Sequence, residues 1–200
     1  VSSDAPSPAD SRRDQILRAA RRCFARSGFH GASMSEICGE ARMSPGALYR
    51  YFPSKDAIIE AITQEERIAA IACMAGLEGD GPIVDRMANV AVAYLESVRD
   101  PEVGCLAVEI SSESLRNTAV GERFHAVEAE VRNAFAKTLR IAQTQGEIGS
   151  DLDLDLASTL IFALGDGLAL RLQMQPDVSP ASLHPYIRRT LAGLLEVPAR

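Results

Sequence analysis

Residues 43–59, which read MSPGALYRYFPSKDAII, collect four side chains that donate hydrogen bonds to anions. Tyrosine hydroxyls, a guanidinium and an ammonium group are donors that proteins use to contact phosphate oxygens. The segment has no neighbouring nucleophile and base, so its chemistry is binding and not catalysis. The four donors are Tyr49, Arg50, Tyr51 and Lys55.

Prolines and a serine cap fix the limits of the short helix that carries these aromatic donors. Ser44 can accept a hydrogen bond from a free amide, and Pro45 suits the first helical position because no N–H is needed there. Pro53 leaves room for only two turns. Leu48 and Phe52 are four residues apart and face the core, so the donors point outward. The alternative is that both tyrosines are ordinary half-buried packing residues.

A second short helix precedes this one. Ser33 and Glu36 have the spacing of a capping box, in which each side chain satisfies the other residue's free amide. Residues 41–43 provide only a tight turn before the next cap. Two short helices joined in this way, after an amphipathic helix over 12–26, predict a helix-turn-helix that contacts DNA.

The charge distribution favours two ends of the chain with different partners. The 200 residues carry a net charge of -6, yet residues 1–56 hold nine Lys or Arg against six Asp or Glu. The remainder holds twelve against twenty-one. A basic end on an acidic chain suggests one part that meets a polyanion and one that does not, with chance as the alternative.

Long stretches rich in Ala, Leu, Arg and Glu, without runs of alternating β-branched residues, predict an all-α protein. The expected architecture is an N-terminal three-helix helix-turn-helix head fused to a C-terminal helical bundle, with about nine helices in total. Beyond the head, glycines and prolines separate the predicted helices. These cover 55–75, a segment that starts at Pro82, 103–116, 119–145, 153–174 and a last helix capped by Ser179.

Residues 12–62 resemble the N-terminal DNA-binding domain of the TetR family of bacterial transcription regulators. The resemblance rests on ILRAARRCFARSGFHGASMSEI and MSPGALYRYFPSKDAII. The family often has Gly in the turn where this chain has Arg42, which costs roughly 1–2 kcal/mol if its backbone is left-handed. The resemblance implies a set of DNA-contacting positions: Ser33, Ser44, Pro45, Gly46, Ala47, Tyr49, Arg50, Tyr51 and Lys55.

A polar, proline-containing start predicts a disordered arm over 1–10. The resemblance then implies a helix-turn-helix DNA-binding domain over 11–56 and a ligand-binding and dimerisation domain over 57–200. In the latter, EISSESLRN and LGDGLALRLQ resemble the choline-repressor-like subgroup. Choline itself does not follow, because quaternary ammonium groups usually need an aromatic cage and this chain has no Trp.

Seven residues of the predicted bundle are candidate effector contacts. For each of them the alternative is core packing or a solvated surface position. The candidates are Met74, Tyr94, Glu109, Phe124, His125, Phe162 and Asp166.

Apolar stripes in the last two predicted helices indicate a homodimer. Two adjacent stripes at the chain end favour a four-helix bundle across a two-fold axis, although one stripe per helix could serve a monomeric core. A dimer also suits the need to read two half-sites. The predicted interface residues are Leu160, Leu164, Gly167, Ile187, Leu191 and Leu194.

Several protein classes are disfavoured. Four scattered cysteines and three distant histidines fit neither a zinc site nor a disulfide framework, so no metal or cofactor is expected. The start lacks the features of a signal peptide and no apolar run reaches membrane-spanning length, so we expect a cytoplasmic protein without membrane contact.

Glu109 and Glu113 share a helix face, as surface carboxylates often do. Because no catalytic constellation accompanies them, an enzyme is not expected.

The sequence therefore predicts a ligand-responsive transcriptional regulator. We expect a repressor that binds a near-palindromic operator in double-stranded DNA as a homodimer and is released by an unknown small-molecule effector. Two alternatives stay open. One is a thiol-based redox sensor that uses Cys73 or Cys105, and the other is a DNA-binding protein without a small-molecule effector.

Overall fold

The computed structural model describes residues 8–198, and the side chains of all of these except 8–10, 119, 120 and 123. Over this range the chain forms nine α-helices, one short 3₁₀ turn and no strand. The predicted all-α class, with a helix-turn-helix head and a helical bundle, is confirmed.

The head contains the first three helices and the first turns of the fourth. These are α1 (Pro8–Gly31), α2 (Met34–Glu40), α3 (Pro45–Tyr51) and α4 (Lys55–Met74). After a 3₁₀ turn, Ala75–Leu77, the bundle adds α5 (Ile83–Ser97), α6 (Pro101–Ser114), α7 (Thr118–Thr144), α8 (Leu154–Met174) and α9 (Pro180–Leu194).

The first helix begins earlier than the sequence pattern predicted. Of the arm expected over 1–10, residues 1–7 lie outside the described range. Residues 8–10 belong to the first turn of α1, where Pro8 occupies a position that needs no N–H.

Serine caps begin α2, α3 and α4. Ser33 and Glu36 form the complete capping box, because the Ser33 hydroxyl accepts from the Glu36 N–H at 3.2 Å and the Glu36 carboxylate accepts from the Ser33 N–H at 2.6 Å. The hydroxyls of Ser44 and Ser54 accept from amides three residues further on, at 3.3 and 3.2 Å. These caps fix where the two short helices of the head start.

One hydrophobic core holds α1 to α4 together. Its side chains include Ile62 of α4, so the core of the head continues past the boundary predicted at residue 56. Leu106 and Ile110 of α6 also pack into this core. The bundle therefore touches the interior of the head directly.

A kink at Gly28 brings the end of α1 against α6. The sequence pattern ended the helix at Gly28, but the helix continues to Gly31 across one non-helical residue, with φ of 68° at Gly28. A Cβ at Gly28 would lie 2.8 Å from Oε1 of Glu109 in α6. Both the positive φ and this close approach require glycine.

A second hydrophobic core lies in the bundle, and it contains two of the residues predicted for the dimer interface. Ile187 and Leu191 of α9 are only 4% and 2% exposed, within the core that α9 shares with α5. Their assignment to a dimer interface is wrong, because the protomer itself covers this face of α9. Leu194 is half-buried, whereas Leu160 and Gly167 of α8 are exposed.

Candidate DNA interface and effector cavity

The recognition helix α3 turns its small and polar residues to solvent. Its exposed positions include Gly46, Tyr49 and Arg50, while Leu48 is buried on the opposite side. A Cβ added at Gly46 would meet no atom within 4 Å, so the start of α3 is open to close approach by a partner. A helix presented in this way can enter the major groove of DNA.

The cations of the head fall into two groups. Arg21 and Arg22 of α1 are engaged inside the protein, since they pair with glutamates of α4 and α2. Within the described part of the chain, the guanidinium groups of Arg42 and Arg50 have no hydrogen bond or ion pair. Arg18 of α1 is exposed and likewise without a partner among the described residues, so the free cations of the head lie on α1, on α3 and on the turn before α3. Those on α3 and the turn lie where phosphates would be met.

Arg42 lies in the turn between α2 and α3 and has a left-handed backbone. Its φ is 52°, and its N–H donates to the carbonyl of Gly39 at 3.1 Å. A side chain in this conformation costs roughly 1–2 kcal/mol relative to glycine. Because Arg42 is exposed, the strained position brings a free cation to the edge of the helix-turn-helix.

Several predicted DNA contacts also have structural roles, among them Ser44, whose hydroxyl caps α3. The Lys55 ammonium donates to the carbonyl oxygens of Phe29 and Ala32, at the end of α1. Tyr51 packs against the core of the head, and the Ser33 hydroxyl is held in its capping box. The spacing around Lys55 gave no sign of its structural role, because the carbonyls come from a distant turn that only the folded chain brings close.

The bundle contains a partly open cavity of about 560 Å³. Every helix from α4 to α9 contributes to its wall, and most lining side chains are aliphatic or aromatic. Such cavities are the usual sites for small organic ligands. Six of the seven predicted effector contacts line it, namely Met74, Tyr94, Phe124, His125, Phe162 and Asp166.

The seventh candidate, Glu109, lies outside this cavity. Its Oε1 accepts a hydrogen bond from the N–H of Phe29 at 2.9 Å, so the carboxylate is directed toward the end of α1. One turn later on α6, Glu113 is 1% exposed and lies 3.0 Å from Nε2 of His30. The spacing that looked like an ordinary surface pair in the sequence therefore serves a contact between α6 and α1.

The charged groups that line the cavity are mainly acidic. They include Glu66, Glu128 and Asp166, and among the described lining residues there is no Lys or Arg. Burial raises the pKa of the Asp166 carboxyl even though the residue keeps an exposed surface, and the charge of Glu128 raises it further. Burial, together with nearby negative charges, raises the pKa of Tyr94 to about 12.

Sequence reasoning missed Glu66, Cys73 and Glu128 as cavity residues. Charged and small residues on amphipathic helices normally face solvent, and only the packing of α4 on α7 shows which of them turn inward. All four cysteines are free thiols. Burial raises the pKa of the Cys73 thiol, which keeps it protonated and a poor sensor, whereas Cys105 is exposed.

A second groove, of about 760 Å³, lies between the loop after α4 and α7. Met74 is the one predicted effector contact that lines it. Among the residues that the structure describes, no cluster of three or more metal-ligating side chains forms. None of the described helices combines the length and apolar character that crossing a membrane requires.

A helix-turn-helix head joined to a helical domain with an internal cavity defines a class of DNA-binding transcriptional regulators. Residues 16–62 match the family described as "Bacterial regulatory proteins, tetR family". Residues 82–196 match "BetI-type transcriptional repressor, C-terminal". The chain belongs to the TetR family, and both resemblances seen in the sequence are confirmed.

Named relatives agree with this family. The chain is 32% identical over 183 residues to the HTH-type transcriptional regulator UidR of Escherichia coli K12, a match that covers 92% of each chain. The solved structure of Salmonella enterica GusR is 34% identical, with a TM-score of 0.85 over 96% of this chain and 100% of that one. FadR from Bacillus subtilis in complex with stearoyl-CoA has a TM-score of 0.79 over 89% and 96%, but its 20% identity shows the fold alone.

Proposed function

We propose that this regulator is a ligand-released repressor. As a homodimer it binds a near-palindromic operator whose half-sites lie roughly one helical turn, or a little more, apart. A small molecule in the bundle cavity selects a conformation whose two heads no longer fit that spacing. Its site of action is the cytoplasm, where bacterial DNA is found. One observation carries the proposal: α6 lines the cavity and also holds the end of α1.

The DNA contacts are proposed on exposure and free charge. Arg50 and Arg42 carry uncompensated cations within the described chain, and Tyr49 presents an exposed hydroxyl. Lys55 has three N–H donors, and its two bonds to carbonyls leave one for a phosphate. Contacts of this kind supply affinity and position on the duplex, while base edges are read by residues at the start of α3.

A stripe on α8 replaces part of the predicted dimer interface. Apolar side chains at steps of three and four along α8 remain exposed in the protomer, on the side away from the cavity. Contiguous exposed apolar surface of this kind marks an interaction site. The exposed fractions of Leu156, Leu160, Leu170 and Met174 are 64%, 56%, 47% and 65%, and the small Ala163 and Gly167 lie between them.

The path from cavity to DNA runs through α6. Glu109 and Glu113 lie one turn apart on this helix, so a shift of α6 moves both carboxylates together. If Glu109 moves, the buried N–H of Phe29 loses its acceptor, and if Glu113 moves, His30 loses its partner. The end of α1 would then reorient, and with it the rest of the head.

The test combines operator binding with ligand screening. In vitro selection from random duplexes supplies an operator, and fluorescence anisotropy measures its affinity. Thermal-shift screening of a metabolite library finds binders, because a ligand at a hundredfold its Kd stabilises the folded state by about 2.7 kcal/mol. We expect stabilising ligands to lower operator affinity. Stabilisation without any change in operator affinity would favour the alternative of a DNA-binding protein without an effector.

The thiol-sensor alternative has its own experiment. Mild oxidation should leave operator affinity unchanged in the wild type, since Cys73 is held as a protonated thiol. Loss of binding on oxidation that disappears in Cys105→Ser would instead favour a redox sensor. Cys73→Ser serves as the matched variant inside the cavity.

A further inference from the structure

The cavity has an uneven distribution of charge that points to the chemistry of its effector, provided that the proposed ligand-released function holds. Its wall is mostly hydrocarbon, so the body of the ligand should be apolar. Its charged lining groups are carboxylates, with His125 at an exposed position. An anionic ligand would meet repulsion from these groups and no lysine or arginine among the described lining residues.

Two of the three carboxylates are already compensated by the protein. Glu66 forms an ion pair with Arg21, and Glu128 lies 3.8 Å from Arg132. Arg132 is further fixed by its hydrogen bond to Thr159 at 3.1 Å. These pairs leave little net charge for a ligand to neutralise at either position.

The third carboxylate is uncompensated. Within the described chain, Asp166 has no hydrogen bond and no ion pair, and the charged group that acts on it is the like-charged Glu128. The hydroxyl of Tyr94 also lacks a partner among the described residues, and the charge of Asp166 acts on it. Asp166 and Tyr94 thus line the same cavity, and each has an oxygen-bearing group without a partner among the described residues.

A protonated amine satisfies this arrangement best. Its charge compensates Asp166, and its N–H groups can donate to the carboxylate and to the Tyr94 oxygen. A hydroxyl group offers one donor and no charge. A quaternary ammonium offers charge and no donor, and the cavity lacks the tryptophan that favours such groups.

We propose that the effector is a hydrophobic primary or secondary amine whose ammonium group binds Asp166 and Tyr94. The apolar body then occupies the space between α5, α7 and α8. A charge-assisted hydrogen bond should favour the amine over its neutral analogue by about tenfold or more.

The experiment uses matched probes on the full-length protein. Calorimetry compares 4-phenylbutylamine, 4-phenylbutanol and 4-phenylbutyrate, and the same three head groups on octyl and adamantylmethyl bodies. We expect the amine to bind about tenfold or more tightly than its alcohol and acid partners on at least one body. The N,N,N-trimethyl form of that amine should bind more weakly than the amine itself.

Variants assign the preference to its residues. Asp166→Asn should abolish the preference for the amine, and Tyr94→Phe should reduce it, while Asp177→Asn in the exposed turn after α8 should retain it. Equal binding of amine, alcohol and acid on all three bodies, no binding of any amine, or an amine preference that survives Asp166→Asn would overturn the proposal.

These outcomes separate the identity of the effector from the function of the protein. If a carboxylate or an alcohol releases operator DNA and the amines do not, ligand-released repression stands and the amine proposal fails. If amines bind with the expected preference but leave operator affinity unchanged, the assignment of the cavity stands and the proposed release mechanism fails.

Discussion

The head has its candidate binding groups outside its core, whereas the bundle has most of its candidate binding groups around an internal cavity. The head buries Phe24, Ile37 and Leu48 to 1% exposure or less and has its donors outside. The bundle contains a partly open cavity of about 560 Å³ that most of its candidate ligand contacts line. A filled interior suits a head that must match a rigid duplex, whereas an unfilled interior gives the bundle a conformation that a ligand can shift.

The largest effect should come from comparing the same change, leucine to aspartate, at a buried position of α9 and at an exposed position of α8. Leu191→Asp puts a charge in the protomer core and should destabilise folding by about 4 kcal/mol or more. Leu160→Asp puts the same charge on the exposed α8 stripe, so it should leave a folded monomer that binds the operator weakly. Circular dichroism melts and light scattering at micromolar concentration distinguish the two results. A folded, dimeric Leu160→Asp protein would remove this stripe from the interface.

The head could be predicted from its sequence because its signals are local. Ser33, Glu36, Ser44 and Pro45 mark helix starts within a few residues of where they act. The buried positions of Leu48 and Phe52 followed from their spacing alone. Each of these features depends on neighbours in the chain, so a single sequence contains the necessary information.

The bundle was less predictable because its decisive contacts are distant in sequence. Apolar stripes on α8 and α9 look alike, yet Leu191 is covered by the protomer and Leu160 is not. The sequence places Glu109 among the candidate effector contacts, but the kink at Gly28 brings the Phe29 amide to its carboxylate. A stripe shows that a helix face is apolar and does not show what covers it.

The joint between head and bundle should be the next most sensitive position. Gly28→Ala introduces a side chain at positive φ and pushes Glu109 from its bond to Phe29, so it should destabilise the protein by about 2–3 kcal/mol. Gly46→Ala is the matched control, because its Cβ meets open space. That change should stabilise the fold by about 0.5–1 kcal/mol and still weaken operator binding by blocking close approach. Chemical denaturation that finds Gly28→Ala as stable as the wild type would reject a strained joint.

An unpaired arginine on α3 should contribute to DNA binding, whereas an exposed arginine on α7, outside the head, should not. Arg50→Ala removes a proposed phosphate contact and should reduce the slope of log K against log salt by about 0.9. Arg140→Ala removes an exposed arginine of α7 and should leave the slope unchanged. Anisotropy titrations over a range of salt concentrations measure both. Equal slopes for wild type and Arg50→Ala would remove Arg50 from the phosphate contacts.

The left-handed turn offers a smaller effect on stability. Arg42→Gly relieves the strain at φ of 52° but increases the freedom of the unfolded chain, so the melting temperature should hold or rise by the equivalent of up to about 1 kcal/mol. Operator affinity should fall, because a free cation is lost. A drop in melting temperature would contradict the left-handed assignment.

The smallest effect concerns the pH dependence of the bundle. Because the folded-state pKa of Asp166 is raised from its ordinary value of 3.8, its contribution to stability should decline as pH rises from that value through the raised one. Asp166→Asn should therefore be more stable than wild type at neutral pH, with the difference disappearing below pH 3.8. Melting temperatures measured across this range test the sign, and a destabilised Asn variant at neutral pH would show that the carboxylate is favourably paired.

Coupling of head and bundle through α6 can be measured by reciprocal titrations. Operator affinity is measured with and without the tightest stabilising ligand, and ligand affinity with and without operator DNA. We expect each partner to weaken binding of the other by the same factor, about 5- to 150-fold. Glu109→Ala should reduce this factor, while Glu102→Ala on the first turn of α6 should not. A ligand that binds the bundle with equal affinity in the free and DNA-bound protein would show that head and bundle are not coupled.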